Sequence, residues 1–282
     1  MLALLLQGPQ AVVVGRVTAV AWPPQVGLAT TLAELADHPA PFPGIGSLSP
    51  DRPLRLVLAG TRARFDSVTR GRLPAWAEGA ALPDIGLVVL ESSGPPDRLA
   101  RSLRHELAHL ALRWHVRRPL PLWLEEGYAA RAAGEWDRLD ALRLSWQLGW
   151  GRPLDLDEVD RALRGDRGDA AAAYGLATTA VLLLERWGGD SGLAPLLARM
   201  ASGSSFDEAL RTRFYVTAGD FEERWQRDVR SRYGWLATAT AGAFAWSIFG
   251  VVLVALVLAR RRRDRERRLR LETEAVEEPP SA

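Results

Sequence analysis

The chain has 282 residues, of which 48% are hydrophobic and 25% charged, and this globular composition excludes a wholly disordered protein. It contains no cysteine and no lysine, which excludes disulfides, thiol nucleophiles, cysteine-ligated metals and Schiff-base chemistry. The net charge is only +2, and residues 260–282, with eight arginines and six acidic residues, account for all of it. We therefore expect no nucleic-acid partner, although the arginine-rich run in residues 260–270 leaves a nucleic-acid or anionic-lipid patch as the alternative there.

The first part of the chain predicts short strands alternating with short helices. Residues 1–10 hold a brief apolar stretch without a basic region before it, which suggests a degenerate or truncated signal segment. Apolar segments rich in β-branched residues predict three strands, at residues 11–22, 54–59 and 85–90. Short helices are predicted at residues 30–36 and 61–69, the first followed by a loop rich in proline and glycine at residues 38–53.

A long amphipathic helix is predicted from Asp97 onward. Its apolar residues recur at steps of three or four, at Leu99, Leu103, Leu107, Leu110 and Trp114. Prolines 95 and 96 favour a helix start at this point, and Pro119 predicts its end. Residues 169–187 and 206–233 also have helical patterns.

Residues 233–259 carry no charged side chain and predict a transmembrane helix, which needs about 20 apolar residues. The alternative is a buried core helix. The arginine-rich segment 260–270 follows directly, and the positive-inside rule then places the C-terminal tail in the cytoplasm. The expected protein is therefore a single-pass protein of the cytoplasmic membrane. Its main domain, residues 11–232, would lie outside the cytoplasm, and its tail, residues 260–282, inside.

The predicted long helix contains the sequence HELAH at residues 105–109. Residues four apart lie on one helix face, so His105 and His109 can bind one metal ion. Glu106 lies about 100° further round the helix, where it misses the ion but can reach a water bound to it. The alternative is that this short pattern occurs by chance.

A second motif follows HELAH. After 16 residues comes Glu126, within the segment Trp123-Leu124-Glu125-Glu126-Gly127. Together the two motifs resemble the gluzincin metallopeptidases, in particular the peptidase MA-like domains. The resemblance implies one Zn²⁺ ion bound by His105, His109 and Glu126, with Glu106 as general base. It also implies an α+β, zincin-like domain with a small sheet over the HExxH helix and a helical C-terminal lobe. Glu125 points about 100° away from Glu126 and is not expected to bind the ion.

The resemblance suggests roles for three further segments. A tyrosine on a later helix often stabilises the oxyanion in this family, and Tyr174 stands at about that position, although a core tyrosine is the alternative. Residues 85–90 would form the edge strand that binds an extended peptide, with a plain core strand as the alternative. Residues 79–82 occupy the place of a glycine-rich aminopeptidase motif but lack its glutamate, which argues against exopeptidase activity.

The expected function is hydrolysis of peptide bonds in a peptide or protein substrate by a zinc-activated water, with Glu106 as base. One alternative is a zinc-bearing module that binds a peptide or an envelope partner without turnover. The other is a membrane-anchored interaction protein in which the motif is accidental.

Overall fold

The computed structural model describes residues 8–71, 73, 74, 76–136 and 154–233, together with residues 253, 256, 257 and 260. The segment predicted as a signal sequence lies largely outside the described residues, and so do most of residues 233–259 and nearly all of the tail. The described part of the chain is an α+β structure with one small mixed sheet, as the sequence predicted.

The sheet has five strands in the order β1-β2-β3-β5-β4. Their bounds are Gln10–Val14, Val17–Ala21, Leu54–Leu58, Gly79–Leu82 and Leu87–Leu90, for β1 to β5. The central pairs β2–β3 and β3–β5 are parallel, whereas β1 and β4 pair antiparallel at the two sides. The single strand predicted over residues 11–22 is in fact a hairpin, because Gly15 adopts a φ of 52° and reverses the chain.

The prediction that residues 85–90 form an edge strand is also wrong. Strand β5 lies between β3 and β4, and Val88, Val89 and Leu90 are fully buried, as an unbroken apolar run favours. The edge on this side is β4, whose Gly79, Ala80 and Ala81 have too little β propensity to predict a strand.

Nine α-helices lie within the described residues. In chain order, α1 to α9, they are Val26–Asp37, Arg62–Thr69, Pro96–His115, Leu122–Ala133, Leu156–Leu163, Arg167–Trp187, Ala194–Ala201, Phe206–Phe214 and Ala218–Tyr233. The long amphipathic helix is confirmed as α3, which ends at His115, and its four stripe leucines are buried. The helix predicted over residues 206–233 is two helices, because Tyr215 is left-handed (φ 57°) and closes the first.

The predicted transmembrane helix and the single-pass membrane location need correction. No helix in the described part of the chain is both long and apolar enough to cross a membrane. The two helices of suitable length, α3 and α6, carry charged residues such as Arg104, Glu106 and Glu185. Apart from Tyr233 and three isolated positions, residues 233–259 lie outside the described residues.

Helix α4 is held from both sides, and this fixes the residues that it presents. At its first turn the N–H groups of Leu122 and Trp123 donate to the carboxylate of Asp160, at 3.2 and 2.6 Å. Along its length it packs on α6 so closely that a Cβ atom at Gly127 would overlap the carbonyl oxygen of Ala177.

Candidate metal centre

Helices α3 and α4 bring together three side chains suited to binding a metal. Nitrogen atoms of His105 and His109 and a carboxylate oxygen of Glu126 all lie within 4.8 Å of one another. Glu126 Oε2 is 3.4 Å from His105 Nε2 and 3.6 Å from His109 Nε2. The three side chains are between 12% and 16% exposed, so the cluster is mostly shielded yet reachable from one side.

The spacing of these atoms fits a tetrahedral zinc site. Ligand atoms about 2.0–2.1 Å from a tetrahedral ion lie about 3.3 Å apart, close to both carboxylate distances. The donor set of two imidazoles and one carboxylate is that of catalytic zinc sites, which keep their fourth position for water or substrate. The residues present therefore fit one zinc ion.

Glu106 lies beside the cluster, buried to 9% exposure. Its carboxylate contacts the backbone of β4 at Gly79, where a Cβ atom would overlap Glu106 Oε1. Burial raises the pKa of Glu106, and the neighbouring His105 and His109 only partly offset that effect. A carboxylate whose pKa is raised toward neutrality is suited to accepting and returning a proton.

Glu135 is a member of the site that the sequence did not reveal. Its carboxylate oxygens lie 3.1 and 3.2 Å from Nδ1 of His105, on the side of the ring away from Glu126. Helix α4 ends at Gly134 in a left-handed conformation (φ 68°), and the N–H of Glu135 donates to the carbonyl of Ala130 at 3.0 Å. This helix end turns Glu135 back toward α3, and the only sequence signal for it is the glycine.

The charges in the cluster depend strongly on one another. Burial lowers the pKa of His105, but hydrogen bonds with Glu126 and Glu135 outweigh it, so the pKa lies well above its ordinary value. Burial also lowers the pKa of His109, but the charge of Glu126, a hydrogen bond with it and the charge of Glu106 together raise the pKa above its ordinary value. Burial favours protonation of Glu126, yet the two histidines lower its pKa strongly. Because the imidazoles must be neutral to bind a metal, these raised histidine pKa values predict that metal binding at the cluster weakens as the pH falls.

The cluster opens into a cleft. Its main cavity has a volume of about 720 Å³, and its walls include Trp76, Gly79, Ala81 and Tyr174. The Tyr174 ring contacts Trp76 edge to face (centroids 6.1 Å apart) and lies near His105 (6.4 Å). Its pKa is raised by burial and by a hydrogen bond to the Glu126 carboxylate. Tyr174 is thus both packed against the core and present in the cleft beside the cluster.

Glu125 faces away from the three candidate ligands, as its position on the helix predicted. Its Oε1 lies 3.4 Å from Nη1 of Arg113, and burial raises its pKa while that arginine opposes the shift. It lines the same cleft beside Arg113, which lies one helical turn beyond His109 on α3.

Comparison with known proteins adds no relative. No family model matches the chain, and no curated protein matches it.

Proposed function

We propose that this chain is a zinc-dependent peptidase of the gluzincin type. The observation that carries the proposal is the convergence of His105, His109 and Glu126 within 4.8 Å, with Glu106 buried beside them in one cleft. These residues come from two separate motifs on two helices. A chance HExxH pattern gives no reason for a carboxylate on another helix to meet both histidines at ligand spacing.

When bound, the zinc ion would acidify a water molecule and polarise the substrate carbonyl. Glu106 would then accept the proton from the attacking water, because its raised pKa and buried position keep the proton close to the reacting atoms. The same carboxyl group would return that proton to the nitrogen of the leaving amine. Gly79 leaves the space in which the carboxylate sits between the strand and the cluster.

Tyr174 would supply a hydrogen bond to the oxygen that gains charge during the attack. Its raised pKa keeps the hydroxyl protonated and able to donate. The edge contacts with Trp76 and His105 hold its ring at the mouth of the cluster.

A peptide is the substrate that the cleft wall favours. The N–H of Glu91 donates to the carbonyl of Glu78, its opposite residue, at 2.8 Å. Because an antiparallel pair alternates, the N–H and C=O groups of Gly79 and Ala81 then point to the open side of β4. An extended peptide could add to this edge as a further strand, with its backbone beside the candidate zinc ligands.

The proposal is tested by metal analysis and a peptide-cleavage screen on the full chain, with Glu106→Gln and Glu125→Gln as matched variants. We expect one zinc ion in all three proteins, and cleavage reduced at least about 10²-fold by Glu106→Gln alone. Glu125→Gln removes a carboxylate from the same cleft but not from the cluster, so it should keep the activity.

Each contrary result has a separate meaning. Wild-type protein without zinc would refute the metal site. Equal cleavage by wild type and Glu106→Gln would refute the role of Glu106. Zinc without any cleavage would favour a module that binds its partner without turnover.

A further inference from the structure

The cleft consists of two cavities that meet at Glu106. The larger, about 720 Å³, extends past His109 to Arg113 and Arg164. The smaller, about 220 Å³, extends the other way to Ser102, Glu78 and Glu135. Both are bordered by His105, Glu106, Gly79, Trp76 and Tyr174. The candidate catalytic centre therefore lies between two spaces and not at the end of one.

Strand β4 runs along both cavities. Glu78, just before the strand, borders only the smaller cavity, Gly79 borders both, and Ala81 and Pro83 border only the larger. The open edge of the strand thus passes the catalytic centre and continues on either side of it.

Helix α3 runs in the same direction as β4 on the opposite wall. At one end Arg98 pairs with Glu78 at 2.9 Å, and at the other Nε1 of Trp114 donates to the carbonyl of Pro83 at 2.8 Å. Between them, along the helix, Ser102 borders the smaller cavity and Arg113 the larger. Two walls that run side by side past the centre define a channel suited to an extended chain.

At each end of the cleft, the charged side chains have the same sign as the peptide terminus that would reach that end. A peptide that pairs antiparallel with β4, the more stable arrangement, has its amino-terminal side in the larger cavity. There an α-ammonium group would meet Arg113 and Arg164, of which Arg113 is partly balanced by Glu125 at 3.4 Å. In the smaller cavity a terminal carboxylate would meet Glu78 and Glu135.

The nearby counter-charges leave this pattern in place. Arg98 balances Glu78, whereas Glu135 contacts the His105 ring, which is neutral when it binds a metal. Among the described residues, Glu135 is therefore the excess negative charge at that end.

The Asp160 carboxylate approaches the Arg164 guanidinium only to 4.0 Å, although the Asp160 carbonyl accepts a hydrogen bond from Nη1 of Arg164 at 2.9 Å. Both carboxylate oxygens already accept N–H groups from the start of α4. Within the part of the chain that the structure describes, Arg164 therefore remains as the excess positive charge at the other end.

We propose that the cleft takes the interior of an extended peptide and that the enzyme is an endopeptidase. The proposal rests on the peptidase function proposed above and specifies its substrate class. The scissile bond would lie at Glu106, with substrate residues continuing into both cavities and both termini outside them.

The test compares two peptides of identical sequence in the zinc-loaded full chain. One has an acetylated amino terminus and an amidated carboxyl terminus, and the other has both ends free. We expect the blocked peptide to be cut at an interior bond, with kcat/KM within about threefold of the free peptide. Cleavage of the free peptide alone, or stepwise loss of single terminal residues, would overturn the proposal.

A binding measurement separates this proposal from the peptidase function. Zinc-loaded Glu106→Gln protein is titrated against fluorescent forms of both peptides, and anisotropy reports the Kd. Similar Kd values support an interior-binding cleft even if the wild type cleaves nothing. In that case the peptidase function fails, and with it endopeptidase activity, but the binding of a peptide interior stands. Binding that needs a free terminus, or no binding of either peptide, overturns the endopeptidase cleft.

Discussion

The two walls of the cleft are built in different ways. One wall, which we call the floor, consists of α3 and α4, whose apolar faces are buried and whose polar faces carry the candidate ligands. The other, the rim, consists of β4 and the loop residues 73, 74 and 76–78. The rim loop is held by Arg62, whose Nη1 and Nη2 donate to the carbonyls of Ala77 (2.6 Å) and Pro74 (3.2 Å).

This difference suggests that the two walls have different functions. Metal binding needs ligand atoms held at fixed distances, and helices buried on one face provide that rigidity. Arg131 on α4 forms two hydrogen bonds with Glu185 on α6, at 2.8 and 3.0 Å, and so fixes the floor further. Substrate binding needs free backbone groups, and an edge strand presents them. Apart from the candidate base Glu106, substitutions in the floor should therefore affect folding and metal binding, and those in the rim should affect turnover.

The largest effect is expected at Gly127 in the floor. A methyl group there would overlap the carbonyl oxygen of Ala177, a backbone atom that moves only if α4 and α6 separate. We expect Gly127→Ala to lower the free energy of unfolding by about 3 kcal/mol, the upper range for overpacked cores, and to weaken zinc binding. Denaturant unfolding of the full chain measures the first effect.

Gly27 supplies the control for this substitution, since it also lies in a helix but a Cβ atom added to it would meet no other atom within 4 Å. Gly27→Ala should leave stability unchanged or raise it by up to about 1 kcal/mol. Equal stabilities of the two variants would show that α4 and α6 are not packed as described.

The next effect is expected at Gly79 in the rim. A methyl group there would overlap Oε1 of Glu106 and lie 2.9 Å from both Cδ and Cγ. All three are side-chain atoms, so the Glu106 side chain can rotate away without a shift of the backbone. Gly79→Ala should lower kcat/KM about 10²-fold through this displacement and change stability by less than about 1 kcal/mol. Steady-state kinetics, unfolding and zinc content are measured on the same sample.

Gly94→Ala is the matched variant on the rim side, because its nearest atom would be the Arg98 side chain at an ordinary 3.7 Å. It should keep full turnover. A Gly79→Ala enzyme as active as this control would mean that the position of Glu106 is not set by β4.

The floor could be predicted from the sequence and the rim could not, for a physical reason. Helical periodicity is local, so the spacing of His105 and His109 and the buried leucines of α3 are visible in one short segment. The order of strands depends on pairing between distant segments, so nothing local shows that β4 is the edge. The small residues of β4 also have low β propensity, so the sequence gives little indication of a strand there. Yet one of them, Gly79, leaves the space that the Glu106 carboxylate occupies.

Glu135, just after the end of α4, could not be predicted from local sequence either. The candidate ligand Glu126 is predicted from its motif, but the partner of His105 Nδ1 depends on how the chain leaves α4 after Gly134. A glycine there predicts that the helix ends. It does not predict which side chain the turn directs back toward α3.

The smallest effect is expected at Glu135, and its pH dependence has a definite sign. The carboxylate orients the His105 ring and makes it a better ligand, so Glu135→Gln should weaken zinc binding about tenfold, at the lower end for such partners. Glu135 also helps to raise the pKa of His105, so in wild-type protein protons compete with zinc up to a higher pH. In the variant His105 is a weaker zinc ligand, but protons also compete less with zinc for it. The difference in zinc affinity between wild type and variant should therefore be largest at pH 8 and smaller toward pH 6, as measured by chelator competition.

Glu78→Gln is the control that distinguishes the contact of Glu135 with His105 from the effect of its negative charge. Glu78 lies at the same end of the cleft but pairs with Arg98 instead of a histidine. Its zinc affinity should match that of wild type at every pH, since no ligand loses a hydrogen bond. If both variants weaken zinc equally, with a gap that does not change with pH, Glu135 acts only through its charge. A gap confined to Glu135→Gln that closes as the pH falls requires the contact with Nδ1, and this would place the control of metal affinity in the turn after α4.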